Sequence, residues 1–100
     1  VSGGTSLGDH VHLNPKCAVG HDVALEDFVS LAPSVSIGGH TRIEQGVFMG
    51  IGAVAVDRVT LGHWSRVGAG AVVISDVSSN STVVGVPARQ VGERPDDWHI

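Results

Sequence analysis

The chain has 100 residues, enough for one domain and too few for a second, with 42% hydrophobic and 16% charged residues, a balance typical of a folded domain. Its net charge of −4 argues against nucleic acid or an anionic membrane as a partner. No apolar run reaches the ~18 residues of a membrane span, no signal-like segment opens the chain, and one cysteine cannot form an internal disulfide, so we expect a soluble, cytoplasmic protein.

From Leu7 onward, the sequence repeats with a period of six. The residues two positions before the members of the main apolar series, from Val11 to Ala71, are small or β-branched, and so is Val77 at the next position of the same column. In-out-in triplets such as residues 23–25 predict short strands whose two end residues share one face. The triplets between them are rich in Gly, Pro, Asn and Asp, so we expect a turn every six residues. The main series contains twelve apolar residues without a gap: Leu7, Leu13, Val19, Leu25, Leu31, Ile37, Ile43, Met49, Ala55, Leu61, Val67 and Val73.

Strands of three residues cannot each bury a face alone. Successive coils must therefore stack, with equivalent positions lining a narrow apolar core. The sequence thus predicts an all-β solenoid over residues 1–77. The period by itself leaves open whether each coil has two sides or three, and which hand it has.

The period ends after Val77. Residues 78–81 predict a loop, and residues 82–86 predict a final extended segment that residues 87–89 cap. The remaining tail, to Ile100, carries no motif that indicates a function. We assign residues 78–100 to a capping segment and tail of the same domain.

Residues 14–89 resemble the bacterial hexapeptide-repeat acyltransferases, and among them the sugar acetyltransferases of the sialic-acid O-acetyltransferase and bacillosamine N-acetyltransferase type. The resemblance implies a left-handed parallel β-helix of about four triangular coils. It also implies acetyl-CoA as co-substrate, a sugar or nucleotide-sugar amine or hydroxyl as acceptor, and a homotrimer with its active sites between subunits. The matching pieces are Asn14, residues 20–22, residues 27–29, residues 38–39 and residues 83–89.

His21 and Gly39 lie eighteen residues apart at the same position of their hexads. One full coil of the expected helix would place the glycine directly above the histidine, about 5 Å away. Histidine is suited to accept a proton near neutral pH, and a glycine lets a backbone N–H approach a developing oxyanion. The resemblance assigns His21 as general base, Asp22 as its orienting partner and Gly39 as a catalytic contact to acetyl-CoA.

The resemblance also implies residues that hold the co-substrate. Arg89 is expected to contact the phosphates, since arginine recognises them well. Ile51 and Ala69 match positions whose backbone runs along the pantetheine arm, although ordinary turn geometry explains them equally. The full co-substrate set is Gly39, Ile51, Ala69, Gly85, Pro87, Ala88 and Arg89.

Asn14 and His40 are the predicted acceptor contacts. Asparagine often occupies a turn for backbone reasons alone, and His40 is included because it adjoins Gly39. Relatives often carry a histidine where this chain has Ser30, so the acceptor is left open by the sequence.

Two further features point away from other chemistry. Cys17 takes an inward, small-residue position, which favours packing over nucleophilic catalysis and therefore direct transfer. Residues 50–55 fit G-x-G-x-x-A, but they continue the hexad repeat with no helix after them, so we do not predict a dinucleotide site.

Alternative functions on the same fold remain. A γ-type carbonic anhydrase needs zinc histidines at a spacing that this chain lacks, and we predict no metal. A noncatalytic β-helical scaffold or oligomerisation module, and a hexapeptide acyltransferase with a non-sugar acceptor, both stay open.

Overall fold

A computed structural model describes residues 3–93, which form fourteen strands and no helix. No segment of that range is therefore a helix long and apolar enough to cross a membrane. The strands are β1 (Ser6–Leu7), β2 (His12–Leu13), β3 (Ala18–Val19), β4 (Ala24–Leu25), β5 (Ser30–Leu31), β6 (Ser36–Ile37), β7 (Arg42–Ile43), β8 (Phe48–Met49), β9 (Val54–Ala55), β10 (Thr60–Leu61), β11 (Arg66–Val67), β12 (Val72–Val73), β13 (Ser81–Val84) and β14 (Arg89–Glu93).

The first twelve strands stack into four coils with three faces. Face A holds β1, β4, β7 and β10, face B holds β2, β5, β8 and β11, and face C holds β3, β6, β9 and β12. All pairs among them are parallel, and Leu7 pairs with Leu25, which pairs with Ile43, so the register advances eighteen residues per coil. The predicted stacking is confirmed, and the number of sides is three.

The core lies along the axis of this prism. Inward residues of each triplet, such as Val29 and Leu31, are fully buried, as their periodic positions predict. Leu7 and Leu13 belong to the first described coil and stay 50% and 36% exposed, because only one neighbouring coil covers them. Burial of the apolar columns thus holds the coils in register.

Each corner between faces turns through one residue in the left-handed region, with φ between 55° and 75°. Only a few of these positions are glycine, so the stacked hydrogen bonds of the coils hold side-chain-bearing residues in a conformation they seldom adopt. The turn residues are 3–4, 21–22, 39–40 and 57–58 at the C–A corner, 9–10, 27–28, 45–46 and 63–64 at the A–B corner, and 15–16, 33–34, 51–52 and 69–70 at the B–C corner.

The solenoid closes through a shorter coil. Leu61 bridges to Val77 and Arg66 pairs with Thr82, so the register advances sixteen residues instead of eighteen. β13 therefore extends face B by one parallel strand, and β14 pairs with it antiparallel. The sequence predicted the extended segment near 82–86 but missed β14, and residues 94–100 of the predicted tail lie outside the described residues.

Candidate functional site

His21 and Asp22 form a hydrogen-bonded pair at the C–A corner. The turn that follows β3 carries both residues, and Asp22 takes the left-handed position. His21 Nδ1 lies 3.1 Å from Asp22 Oδ2, with the two side chains 63% and 52% exposed. The carboxylate therefore orients the imidazole while the ring stays accessible to a ligand.

Gly39 lies one coil above His21, as the eighteen-residue spacing predicts. The N–H of its neighbour, His40, donates to the carbonyl oxygen of His21 at 3.0 Å. A methyl group on Gly39 would lie 3.1 Å from His21 Nε2 and 3.3 Å from the His21 carbonyl oxygen. The absence of a side chain thus leaves the imidazole its place beside the Gly39 backbone.

Asp57 continues this column and was not singled out by the sequence analysis. The Gly39 N–H, predicted to face a substrate oxygen, donates to Asp57 Oδ1 at 3.1 Å. Asp57 follows Gly39 by the same eighteen residues that separate Gly39 from His21. Reading the column one coil further would have found it.

His40 joins the same cluster from the coil above. Its ring meets the His21 ring edge-on, with centroids 4.9 Å apart and planes at 89°. Its Nε2 lies 4.0 Å from Asp22 Oδ2. Asp22 therefore lies between two imidazoles, and two of the predicted site residues with different assigned roles share one carboxylate.

An open apolar cleft of about 890 Å³ covers the outer surface of face C and reaches the C–A corner. Val54 and Val56 line this cleft, and Ile74 on the same side of the prism is 56% exposed. The cleft thus ends beside the His21 cluster. Its lining consists of Ala18, Val19, Gly20, Ser36, Ile37, Gly38, Val54, Ala55, Val56 and Asp57.

Several predicted co-substrate residues lie at the B–C corner instead. Ile51 and Ala69 stack one coil apart, and the Gly70 N–H donates to the Ile51 carbonyl at 2.8 Å. Gly85 extends the same corner, since its carbonyl accepts the Val72 N–H at 3.0 Å. Face C separates this group from His21, so one chain does not bring the two groups together.

The predicted cap lies at the end of the prism. The Ala88 N–H donates to the Val72 carbonyl at 2.8 Å, and Ala88 packs against the core. Pro87 follows a cis peptide bond, and Arg89 opens β14 as an exposed residue. Arg89 lines a small hollow of about 340 Å³ together with Asp76.

Asn14 and Cys17 both bond across coils. Asn14 Nδ2 donates to the Leu31 carbonyl at 2.9 Å, and Cys17 Sγ lies 3.2 Å from the Ala32 carbonyl oxygen. Asn14 precedes β3 whereas His21 follows it, so they lie at opposite ends of that strand. Cys17 packs against the core, as its inward position indicates.

Ion pairs on face A lie outside the His21 cluster. Arg42 Nε donates to Glu26 Oε2 at 2.9 Å, and Glu44 Oε2 lies 3.8 Å from the same nitrogen. The hydrogen bond to Glu26, together with the charges of both glutamates, raises the pKa of Arg42 above its ordinary value. These side chains pair with one another across the stacked coils.

Comparison with known proteins identifies the architecture. No family model matches the sequence. The chain is 38% identical over 87 residues to the serine acetyltransferase of Salmonella typhimurium, covering 79% of this chain and 32% of that protein. It therefore spans about a third of the length of that relative.

Solved structures give a similar result. A variant of perosamine N-acetyltransferase from Caulobacter crescentus, in complex with CoA and GDP-perosamine, matches 89% of this chain and 42% of its own at 31% identity, with a TM-score of 0.87. The acetyltransferase domain of PglB from Neisseria gonorrhoeae, in complex with acetyl coenzyme A, matches 88% of this chain and 43% of its own at 36% identity and a TM-score of 0.87. The solenoid is thus the left-handed parallel β-helix that the sequence predicts, and over most of its length the chain is similar to acetyltransferases, among them ones with hexapeptide repeats.

Proposed function

We propose that this chain forms the acetyl-transfer centre of an acetyl-CoA-dependent acetyltransferase. The observation that carries the proposal is the pairing of His21 with Asp22 at 3.1 Å, directly beneath Gly39 and beside an apolar cleft. Relatives and structural neighbours named as acetyltransferases, two of them holding CoA or acetyl-CoA, support the reaction class.

In this proposal His21 is the general base. It accepts the proton from an acceptor amine or hydroxyl as that group attacks the thioester carbonyl, and Asp22 fixes the ring and stabilises the imidazolium. Coenzyme A leaves as a thiolate and takes up the proton that His21 holds. Cys17 packs against the core, which supports direct transfer without an acyl-enzyme.

The Gly39 N–H is the proposed oxyanion donor. Because Asp57 Oδ1 already accepts that hydrogen bond, the thioester oxygen must displace the carboxylate before the donor can stabilise developing charge. The Asp57 side chain is exposed and able to turn away. Displacement of Asp57 is thus part of the proposed binding step.

The separation of the predicted residues supports a homotrimer. His21 and Gly39 lie on one edge of face C, and Ile51, Ala69 and Gly85 lie on the other. A neighbouring copy that packs against the apolar cleft would bring its own B–C corner to this edge, so that both groups hold one acetyl-CoA at the seam. Pro87, Ala88 and Arg89 would then contact the nucleotide part, and Asn14 of that copy, rather than of this one, would reach the acceptor together with His40.

For the acceptor we propose an amine or hydroxyl of a sugar or nucleotide sugar, as in the sialic-acid and bacillosamine type. The solved complex of a sugar-nucleotide acetyltransferase that matches 89% of this chain supports this class. Serine is the second candidate, because the curated relatives at 38% identity are serine acetyltransferases. Both acceptors need the same base.

Release of the coenzyme A thiol in the presence of acetyl-CoA and each acceptor tests the proposal. We expect acetyl-CoA to raise the melting temperature and amino-sugar nucleotides to give faster thiol release than serine. Faster thiol release with serine would make serine the acceptor and leave the proposed reaction class unchanged. If acetyl-CoA leaves the melting temperature unchanged, the protein is a scaffold and the proposed function is wrong. Light scattering should give the mass of three chains.

A further inference from the structure

In place of the sequence-based expectation of no metal, we propose that His21, Asp22 and His40 form a binding site for a divalent transition-metal ion of the zinc class, and that the bound ion switches off acetyl transfer. Two imidazoles and one carboxylate, each able to ligate such an ion, converge at the C–A corner. Within residues 3–93 this is the one group of at least three His, Cys, Asp or Glu side chains whose ligand atoms come together.

The distances between ligand atoms fit a single small ion. Zinc bonds to histidine nitrogen and carboxylate oxygen are about 2.0–2.2 Å long, so tetrahedral ligand atoms lie roughly 3.3–3.5 Å apart. His21 Nδ1 lies 3.1 Å and His40 Nε2 lies 4.0 Å from Asp22 Oδ2. The ligand atoms all lie within 4.8 Å of one another. Rotation of the exposed His21 and His40 side chains would bring their ligand nitrogens to bonding distance of one ion without moving the backbone.

The donor set selects the class of ion. Calcium takes six to eight oxygen ligands, and magnesium keeps several waters around one or two carboxylates. Two imidazole nitrogens and a single carboxylate suit zinc and its neighbours in the first transition row. Three protein ligands also leave a fourth position open to water, which the 63% exposure of the His21 side chain permits.

The backbone favours this convergence. Asp22 and His40 occupy the same left-handed corner position in successive coils, with φ of 55° and 57°, and the His40 N–H is anchored to the His21 carbonyl at 3.0 Å. The stacking of coils therefore brings the backbones of His21, Asp22 and His40 together before any ion arrives. Preorganised ligands raise the affinity of a site for its ligand.

The regulatory part of this proposal rests on the proposed function, because it takes His21 as the base. An imidazole whose lone pair is bound to a metal ion cannot accept a proton from the acceptor. Zinc and the reaction are then mutually exclusive, and inhibition follows occupancy of the site.

Calorimetric titration of the tag-free chain with ZnCl₂ tests the site without any turnover. We expect one ion per chain, with binding weakened at least about 100-fold in His40→Asn and in Asp22→Asn, since loss of a ligand should exceed the 10–100-fold effect of an outer partner. Asparagine tolerates the left-handed backbone at both positions. Unfolding curves establish that each variant is folded.

His63→Asn is the matched control. His63 Nδ1 lies 3.7 Å from Glu44 Oε1 at the A–B corner, a histidine and a carboxylate without a second imidazole. The His63→Asn variant should bind zinc as the unchanged chain does. Equal binding by His40→Asn and the unchanged chain, or equal weakening in His63→Asn, would mean adventitious zinc on surface histidines and overturns the proposed site.

A second arm separates the site from its regulatory role. If thiol release is active, the zinc concentration that halves it should match the calorimetric dissociation constant, and it should rise at least about 100-fold in His40→Asn. Zinc binding without inhibition would overturn the switch and leave the site. Zinc binding by a chain that never releases thiol would contradict the proposed function alone.

Discussion

The C–A and A–B corners share one backbone design and differ in what their side chains do. At both, a carboxylate of one coil accepts a backbone N–H of the coil before it, from Gly39 to Asp57 at 3.1 Å and from Asp9 to Asp27 at 2.7 Å. Both turn through left-handed residues eighteen apart. The stacked coils therefore impose the same scaffold at each corner.

The A–B corner places its larger side chains against one another. His10 stacks on Phe28 with centroids 5.2 Å apart and planes at 9°, and His63 Nδ1 lies 3.0 Å from Ser79 Oγ. The C–A corner instead sets two exposed imidazoles around one carboxylate at the end of an apolar cleft. The fold thus provides the same backbone at both corners, and the side chains at the C–A corner provide the groups suited to catalysis.

Replacing one histidine at each corner should give the largest difference in kcat between the two corners. We expect His21→Ala to lower kcat by about 10²–10⁴-fold, the range for loss of a general base, while acetyl-CoA still raises the melting temperature. His63→Ala at the A–B corner should leave kcat unchanged. Thiol release and thermal shift measure the two properties separately. Loss of the thermal shift in His21→Ala would reject the role of base and indicate a binding role.

Adding a methyl group at each corner should give opposite results. In Gly39→Ala the methyl group crowds His21 Nε2 from 3.1 Å, and a displaced base should lower kcat by roughly tenfold to hundredfold with little change in stability. Gly46 has φ +74°, and a methyl group there would overlap the Trp64 ring, so Gly46→Ala should lower the free energy of unfolding by roughly 1–3 kcal/mol.

Urea unfolding and thiol release, measured on both variants, test whether Gly39→Ala lowers kcat and Gly46→Ala lowers stability. Refolded Gly46→Ala should retain the kcat of the unchanged chain below its unfolding transition. If Gly39→Ala lost stability and kept its kcat, the glycine would serve coil packing at both corners, and the contrast between them would disappear.

The sequence predicted the repetitive parts of this molecule because they depend on period alone. The apolar column through Leu25 and Ile43 predicts that the coils stack, and the family resemblance supplies the eighteen residues per coil that set Gly39 above His21. The sixteen-residue closing coil and β14 depend on strand pairing outside the period. No six-residue pattern carries that information.

The candidate site was only partly predictable for a related reason. The column position of His21 places Gly39 above it, but whether His40 leans toward Asp22 depends on side-chain torsions that spacing does not determine. The number of sides per coil, which the period leaves open, decides which residue lies above His21, since three sides place Gly39 there and two sides would place Pro33 there. Asp57 was readable from the column and was missed because the repeat was followed for only one coil.

The smallest expected effect concerns the carboxylate that accepts a backbone N–H at each corner, Asp57 at the C–A corner and Asp27 at the A–B corner. In Asp57→Asn the Gly39 N–H keeps an acceptor but loses the charge, and a neutral acceptor holds the donor less strongly. The thioester oxygen should then displace it more readily, which raises kcat/KM for acetyl-CoA about fivefold for roughly 1 kcal/mol. Asp27→Asn removes the matching charge at the A–B corner and should leave kcat/KM unchanged. Steady-state thiol release at varied acetyl-CoA measures both variants. A fall in kcat/KM for Asp57→Asn would mean that the carboxylate assists the reaction, and equal changes in both variants would trace the effect to the stacking of coils rather than to the oxyanion donor.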